Sequence, residues 1–219
     1  MTTDRDLLIL EPRLFHDLGF LSQRLFRSTT ASIDAAGALI TDTTASPFAT
    51  PSLAPGHILL VSAHTPVELL SITSPTQAAI SRIRAAATDP AIPAPDLAGP
   101  VSSLDCFTFA PQITLIRAHL LRTLGLIPGP TTDPHTALGE DRITDTRALD
   151  HATTLGALHA ICTAASPLIA DPSAITAKAL AYHHRFAAAR RALTAPIDLD
   201  GDGLPDTTRR ASTITLIRG

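Results

Sequence analysis

Residues 88–103, TDPAIPAPDLAGPVSS, carry prolines at 90, 93, 95 and 100. Proline fixes φ and removes a backbone donor, so this run favours extended polyproline II structure and excludes helix. It divides the chain into two halves with different periodicities. The run itself reads either as a spacer or as an arm lying over a neighbour.

The half before it begins with a helical pattern. In PRLFHDLGFLSQRLF, residues 12–26, the leucines fall at 14, 18, 21 and 25, with Pro12 suited to a first turn. That spacing predicts an amphipathic helix docked on the rest of the fold. From about residue 28 to residue 86 the runs become short and rich in Thr, Ser and Pro. ALITDTT (38–44), HILLVSA (57–63), VELLSIT (67–73) and QAAISRIR (77–84) are each as long as a strand, and turn-forming clusters separate them. Ser74–Pro75 marks a hairpin. Four short strands with tight connections predict a small antiparallel sheet or half-barrel.

The half after the prolines is helical in period. FAPQITLIRAHLLRTLG (109–125) aligns Ile113, Ile116, Leu120 and Leu124 and stops at Gly125, a C-cap residue. A second helix is expected at about 141–165, with Leu149, Ala152, Leu155, Leu158 and Cys162 inward. Asp171 and Pro172 then supply an N-cap and a first-turn proline for a helix at about 173–194. Its stripe of Ile175, Ala179, Tyr182, Phe186, Ala189 and Leu193 is the cleanest helical signal in the chain. The final STITLIRG (212–219) alternates like a strand.

Aromatics make up only 4% of the 219 residues, against 45% hydrophobic residues in all, so the core must be built from Leu, Ile and Ala. Closely packed helices use such residues well. The expected class is therefore α+β: a bundle of about four helices with an inserted small antiparallel β-subdomain and a C-terminal strand. The expected divisions are an N-terminal helix packing on the bundle (1–27), the β-subdomain (28–87), a Pro-rich linker (88–106), the helical domain (107–195), and a loop with the terminal strand (196–219).

The most distinctive stretch is DLDGDGLPD, residues 198–206. Calcium takes six to eight oxygen ligands, and alternating residues of a tight loop can supply them. Counting from Asp198 as position 1 of an EF-type loop, Asp200 and Asp202 fall at 3 and 5, Gly203 at the sharp turn, the Leu204 carbonyl at 7 and Asp206 at 9. Position 12, where a bidentate acid belongs, holds Arg209, with Arg210 beside it. Two readings stand open: a Ca2+ site of modest affinity, or a polar connection in which Asp and Gly supply turn geometry between a helix and a strand.

Other chemistry-bearing residues are scattered. His183 and His184 are adjacent, about 100° apart on a helix, and His151 and His159 are eight apart, so neither pair has the three- or four-residue spacing of a helical zinc site. His57 and His64 flank a strand. Cys106 and Cys162 match no metal spacing and read as two small buried hydrophobes in a reducing compartment. G-x-S-x-G, P-loop and G-x-G-x-x-G motifs are absent from the sequence, and the expectation is a non-enzyme. Arg185 with Arg190 and Arg191 makes a basic patch, either a solvated face or an interface to an acidic partner. The net charge of −3 argues against nucleic acid as the main partner. No run of 18 apolar residues suggests a membrane span, and the N-terminal MTTDRDLLILEP lacks the apolar core of a secretory signal.

The stretch from residue 37 to residue 82 resembles a module of tailed-phage neck and tail proteins. In those, a Thr/Ser-rich strand leads to a Phe, a Gly turn and a hairpin, and Phe48, Gly56, Ile72, Ser74 and Thr76 occupy the corresponding places. The helical remainder resembles the head–tail connector (adaptor) proteins of phages and prophages. The Asp/Gly loop with its Arg pair and strand is similar to prophage-type structural proteins. The resemblance implies a virion structural protein that forms a homo-oligomeric ring and contacts portal or tail subunits. It implies no catalytic residue, and a cytoplasmic location during assembly. From a different class, the residues also allow a monomeric calcium-binding interaction module.

Overall fold

The computed structural model describes residues 1–62, 65–130 and 138–211. The chain divides into two compact units, Thr3–Ala110 and a second that joins Met1–Thr2 to the residues from Pro111 on. The class is α+β, with five helices and antiparallel sheets among the described residues.

The first unit opens with α1 (Asp4–Leu10) and the one-turn α2 (Leu14–Asp17). The Asp6 carboxylate accepts the Thr3 N–H at 2.7 Å, which satisfies one orphan donor at the start of α1. There follow β1 (Gln23–Ser28), β2 (Ser32–Ile33), β3 (Leu39–Thr41), β4 (Ile58–Val61), β5 (Thr65–Ser74), β6 (Gln77–Ser81), β7 (Gly99–Pro100) and β8 (Leu104–Thr108). They form one antiparallel sheet in the order β1-β8-β4-β5-β6-β3-β2-β7.

The register shows that this sheet closes on itself. After a bulge between Arg24 and Phe26, one register runs from Phe26↔Cys106 through Ser28↔Leu104 and Ser32↔Pro100 to Ile33↔Gly99. The Val101 N–H donates to the Ala31 carbonyl at 3.0 Å in the gap. Thus β1 and β2 are two parts of one long strand, β7 and β8 two parts of another, and the nominal sheet ends are a single ladder. β8 pairs on to β4, β2 pairs on to β3, and β4-β5-β6-β3 completes a six-stranded barrel. Closure removes the long unpaired edges that an open sheet would expose.

The barrel is filled by alternate residues from all six of its strands: Ile33, Ile40, Leu59, Val61, Val67, Leu69, Ala78, Ile80, Leu104 and Cys106, with Phe48 and Leu53 from the long β3–β4 connection. Strand side chains alternate faces, so Ile58, Leu60, Glu68 and Asp105 point outward, and all are buried. The carboxylate of Asp42, wholly buried just after β3, ties the bend in the long strand by accepting from the Ser28 hydroxyl, from Thr30 Oγ1 at 2.8 Å and from the Thr44 and Ala45 N–H groups. Burial alone would raise its pKa, but these donors outweigh it and hold the carboxyl below its ordinary value.

The second unit contains α3 (Ala110–Thr123), α4 (Arg147–Ala165) and α5 (Ser173–Ala192), then a hairpin of β9 (Thr194–Ile197) and β10 (Thr207–Arg210). Its core includes Leu120, Leu121, Leu124, Leu149, Ala152, Leu193, Ala195 and Ile197. Gly156 of α4 marks a close approach, since a Cβ there would lie 2.6 Å from Ile116 and 2.8 Å from the Phe186 ring. Arg117, almost wholly buried, bridges Glu140 and Asp150, and the Asp150 carboxylate also meets the Met1 amino group at 3.5 Å.

Several sequence expectations need correction. Residues 12–26 are not one helix docked on a bundle. They form α2, a turn at Gly19–Leu21 and the start of β1, because ladder hydrogen bonds to β8 outweigh the helical leucine spacing. The sheet is much more than a small subdomain of residues 28–87: it takes β1 from the expected helix, and β7 and β8 from the expected linker 88–106. The helical region begins at Ala110, not at 107, since β8 runs to Thr108. The last helix stops at Ala192, and Thr194–Ile197 turns into strand. The expected terminal strand, 212–219, lies outside the described residues, as does His64.

Candidate functional site

The aspartate loop is the turn of a hairpin, not a helix-to-strand connection. Ile197 pairs with Thr207, so residues 198–206 span the distance between two paired strands. Its base is fixed on both sides, by the Asp198 N–H to the Arg142 carbonyl and the Asp206 N–H to the Ile197 carbonyl, each 2.9 Å. Gly201 and Gly203 have φ of +89° and +85°, the left-handed conformation that glycine adopts without strain. That explains both glycines of the motif.

The carboxylates hold the loop from within. Asp198 accepts the Gly201 N–H at 2.6 Å on one oxygen and the Gly203 N–H at 2.9 Å on the other. Asp206 accepts the Leu199 N–H at 2.6 Å, and Asp202 accepts that of Leu204 at 2.7 Å. The Gly201 and Gly203 donors, with Arg142 nearby, hold the Asp198 carboxyl below its ordinary pKa. Each is a turn-forming interaction of the kind Asp makes in tight loops.

These bonds also gather the carboxylates. Oxygens of Asp198, Asp200 and Asp206 lie within 4.8 Å of one another. Oxygens bound to one calcium ion at 2.3–2.6 Å stand no farther apart than about 5 Å, so the three fit a shared ion. A carboxylate has about four acceptor positions, and Asp198 uses two on backbone donors. Asp202 stands outside this group, and Leu204 is exposed. Of the five expected ligands, three are therefore brought together as side chains.

Arg209, expected beside the loop in place of the missing acid, turns away. Its Nη1 donates to the Leu124 carbonyl at 3.2 Å and to that of Gly125 at 2.7 Å, at the end of α3. Arg142 is the cation beside the loop instead: a Cβ on Gly201 would lie 3.0 Å from its Nη1. Its position depends on the backbone pairing of residues 142–144 with β9, which sequence spacing cannot show.

Other features appear only in three dimensions. His159 of α4 faces His183 of α5 with ring centroids 5.0 Å apart, and His184 follows at 5.7 Å from His183. Arg185 and Arg190, read as a basic patch, lie over the rings of Tyr182 and Phe186. Both cysteines are buried thiols outside any disulfide, and burial pushes the Cys106 thiol far up, which disfavours the nucleophilic thiolate. In the barrel unit, Asp4 is buried, with Phe109 N–H donating to its Oδ1 at 2.8 Å, and burial raises its pKa to about 7. Among the described residues, no helix is long and apolar enough to cross a membrane. Comparison of the chain with protein-family models, with curated proteins and with solved structures finds no match.

Proposed function

We propose that the protein is a structural assembly subunit, working through contacts between folded surfaces rather than through chemistry. The observation that carries this reading is the outer face of α5. A helix facing water normally carries charge there, yet from Ser173 to His184 the only charged residue is Lys178. Ala174, Ala177, Leu180 and Ala181 are exposed, Leu180 at 56%. Small side chains let a second helix or sheet approach closely, and Leu180 supplies an apolar anchor. The resemblance to head–tail connector subunits favours a homo-oligomeric ring that meets portal or tail subunits. Sedimentation velocity tests the surface: Leu180→Glu should shift the protein to smaller species without changing its circular dichroism. An unchanged distribution would rule out the α5 face.

A second reading rests on the gathered oxygens of Asp198, Asp200 and Asp206. In it the hairpin loop takes one Ca2+ ion, which stiffens the turn. Calorimetric titration with CaCl2 tests it, and no heat at millimolar calcium (roughly the range of weak extracellular-type sites) would remove it.

A further inference from the structure

We propose that a pocket at the end of α3 binds a phosphate or diphosphate group. The pocket lies within the second unit, encloses about 540 Å³, and is lined by His119, Arg122, Thr123, Gly125, Arg209 and Arg210 with Leu124. It brings three guanidinium groups and an imidazole together, with no carboxylate in the lining among the described residues, in a chain whose net charge is −3. This proposal is independent of the assembly and calcium readings.

The ordinary explanation of cations at this place is the helix C-terminus, where carbonyls favour positive charge. Here most of those carbonyls are already answered. The Gly125 N–H donates to Arg122 O at 3.0 Å, and the Leu126 N–H donates to Leu121 O at 2.9 Å. Gly125, at φ +70°, makes the left-handed turn that permits this. Arg209 takes the Leu124 and Gly125 carbonyls. One arginine therefore makes the direct contacts to the terminal carbonyls, and the cap uses none of the His119, Arg122 and Arg210 side chains.

Nor do those three balance anything else. Several other arginines are engaged with carboxylates: Arg5 and Arg84 with Glu68, Arg82 with Asp96, Arg117 with Glu140 and Asp150, Arg147 with Asp145. Among the described residues, the His119, Arg122 and Arg210 side chains have no hydrogen-bond or ion-pair partner, and all three are exposed. Like charges gathered in a concavity repel one another, and an anion relieves that repulsion. The planar guanidinium fork matches phosphate oxygens, and Arg209 is held in place by its two carbonyl contacts, so part of the site is preorganised.

The test uses the whole protein in calcium-free buffer with pyrophosphate or inorganic phosphate as probe and NaCl of equal ionic strength as control. Pyrophosphate should raise the melting temperature above the NaCl control, saturably, and calorimetry should give a dissociation constant. Arg122→Gln combined with Arg210→Gln, both on exposed residues, should weaken that constant by at least about tenfold while leaving the circular dichroism unchanged. Inorganic phosphate should bind at the same place more weakly. A shift no larger than that of NaCl would overturn the proposal. So would pyrophosphate binding of equal strength in the double variant, which would put the anion elsewhere.

Discussion

Arg84 grips Glu68 with two parallel hydrogen bonds, Nη2 to Oε1 at 2.7 Å and Nε to Oε2 at 3.0 Å, on a carboxylate that is 1% exposed. Glu68 points outward from β5, so the barrel wall carries a buried ion pair, with Arg5 of α1 at 3.8 Å completing the group. Arg84 also donates to the Ala87 and Asp89 carbonyls at 2.8 and 2.7 Å, which anchors the start of the proline-rich segment.

Removing one partner of a buried pair leaves an uncompensated charge. Arg84→Ala should cost about 3 kcal/mol in urea unfolding, near the lower end of the range because Arg5 remains close. Arg84→Lys should recover only part of this, since an ammonium cannot make the parallel pair. A loss under about 0.5 kcal/mol, typical of surface pairs, would show that the group is solvated.

Asp4 gives the barrel unit a pH dependence of definite sign. Its ordinary pKa of 3.8 rises to about 7 on folding, chiefly through burial. The folded state therefore holds the proton more tightly, and this contribution is complete below the unfolded value and lost as pH climbs towards 7. One pKa unit corresponds to about 1.4 kcal/mol, so the loss is on the order of 4 kcal/mol. Asp4→Asn keeps an acceptor for the Phe109 N–H and carries no charge. It should be more stable than the parent at pH 8 and should flatten the slope between pH 4 and 7. Parallel slopes in the two proteins would contradict this assignment.

Gly37 sits at φ +68°, where a Cβ would lie 2.1 Å from the Ala94 backbone carbonyl carbon. The Ala94 N–H also donates to the Gly37 carbonyl at 2.9 Å, which seats the proline-rich segment on the β2–β3 turn. Gly37→Ala faces both left-handed strain and a backbone clash, and should lose more than about 2 kcal/mol. A loss near that of an ordinary surface substitution would mean that the segment lifts away easily.

If the hairpin loop takes calcium, saturating the site should raise stability by mass action, about 1.4 kcal/mol at ten times the dissociation constant. Asp206→Asn weakens one of the three gathered carboxylates and should reduce that rise, whereas Asp202→Asn, outside the group, should leave most of it. Equal effects would mean that the three-carboxylate geometry is not what binds.

Local pattern revealed much of the fold. The Ser74–Pro75 hairpin, the helices after residue 109 and the Gly125 cap all follow from spacing and turn chemistry that act over a few residues. The barrel did not, because its closure depends on pairing residues 23–33 with 99–108, which no local period encodes. Leu104, Cys106 and Thr108 alternate in strand fashion, but the prolines just before them have the composition of a linker. At the loop, alternating aspartates disclosed Asp198, Asp200 and Asp206, since a tight turn brings such residues together. Where Arg209 turns, and that Arg142 replaces it, depends on contacts with α3 and β9 far off in sequence.

Association of the proposed assembly subunit is tested most directly by the mass of the unmodified protein in solution. Light scattering coupled to size exclusion should give a defined multiple of 23.0 kDa, with negative-stain images showing a closed ring. A strict 23.0 kDa monomer at every concentration tested would contradict the account.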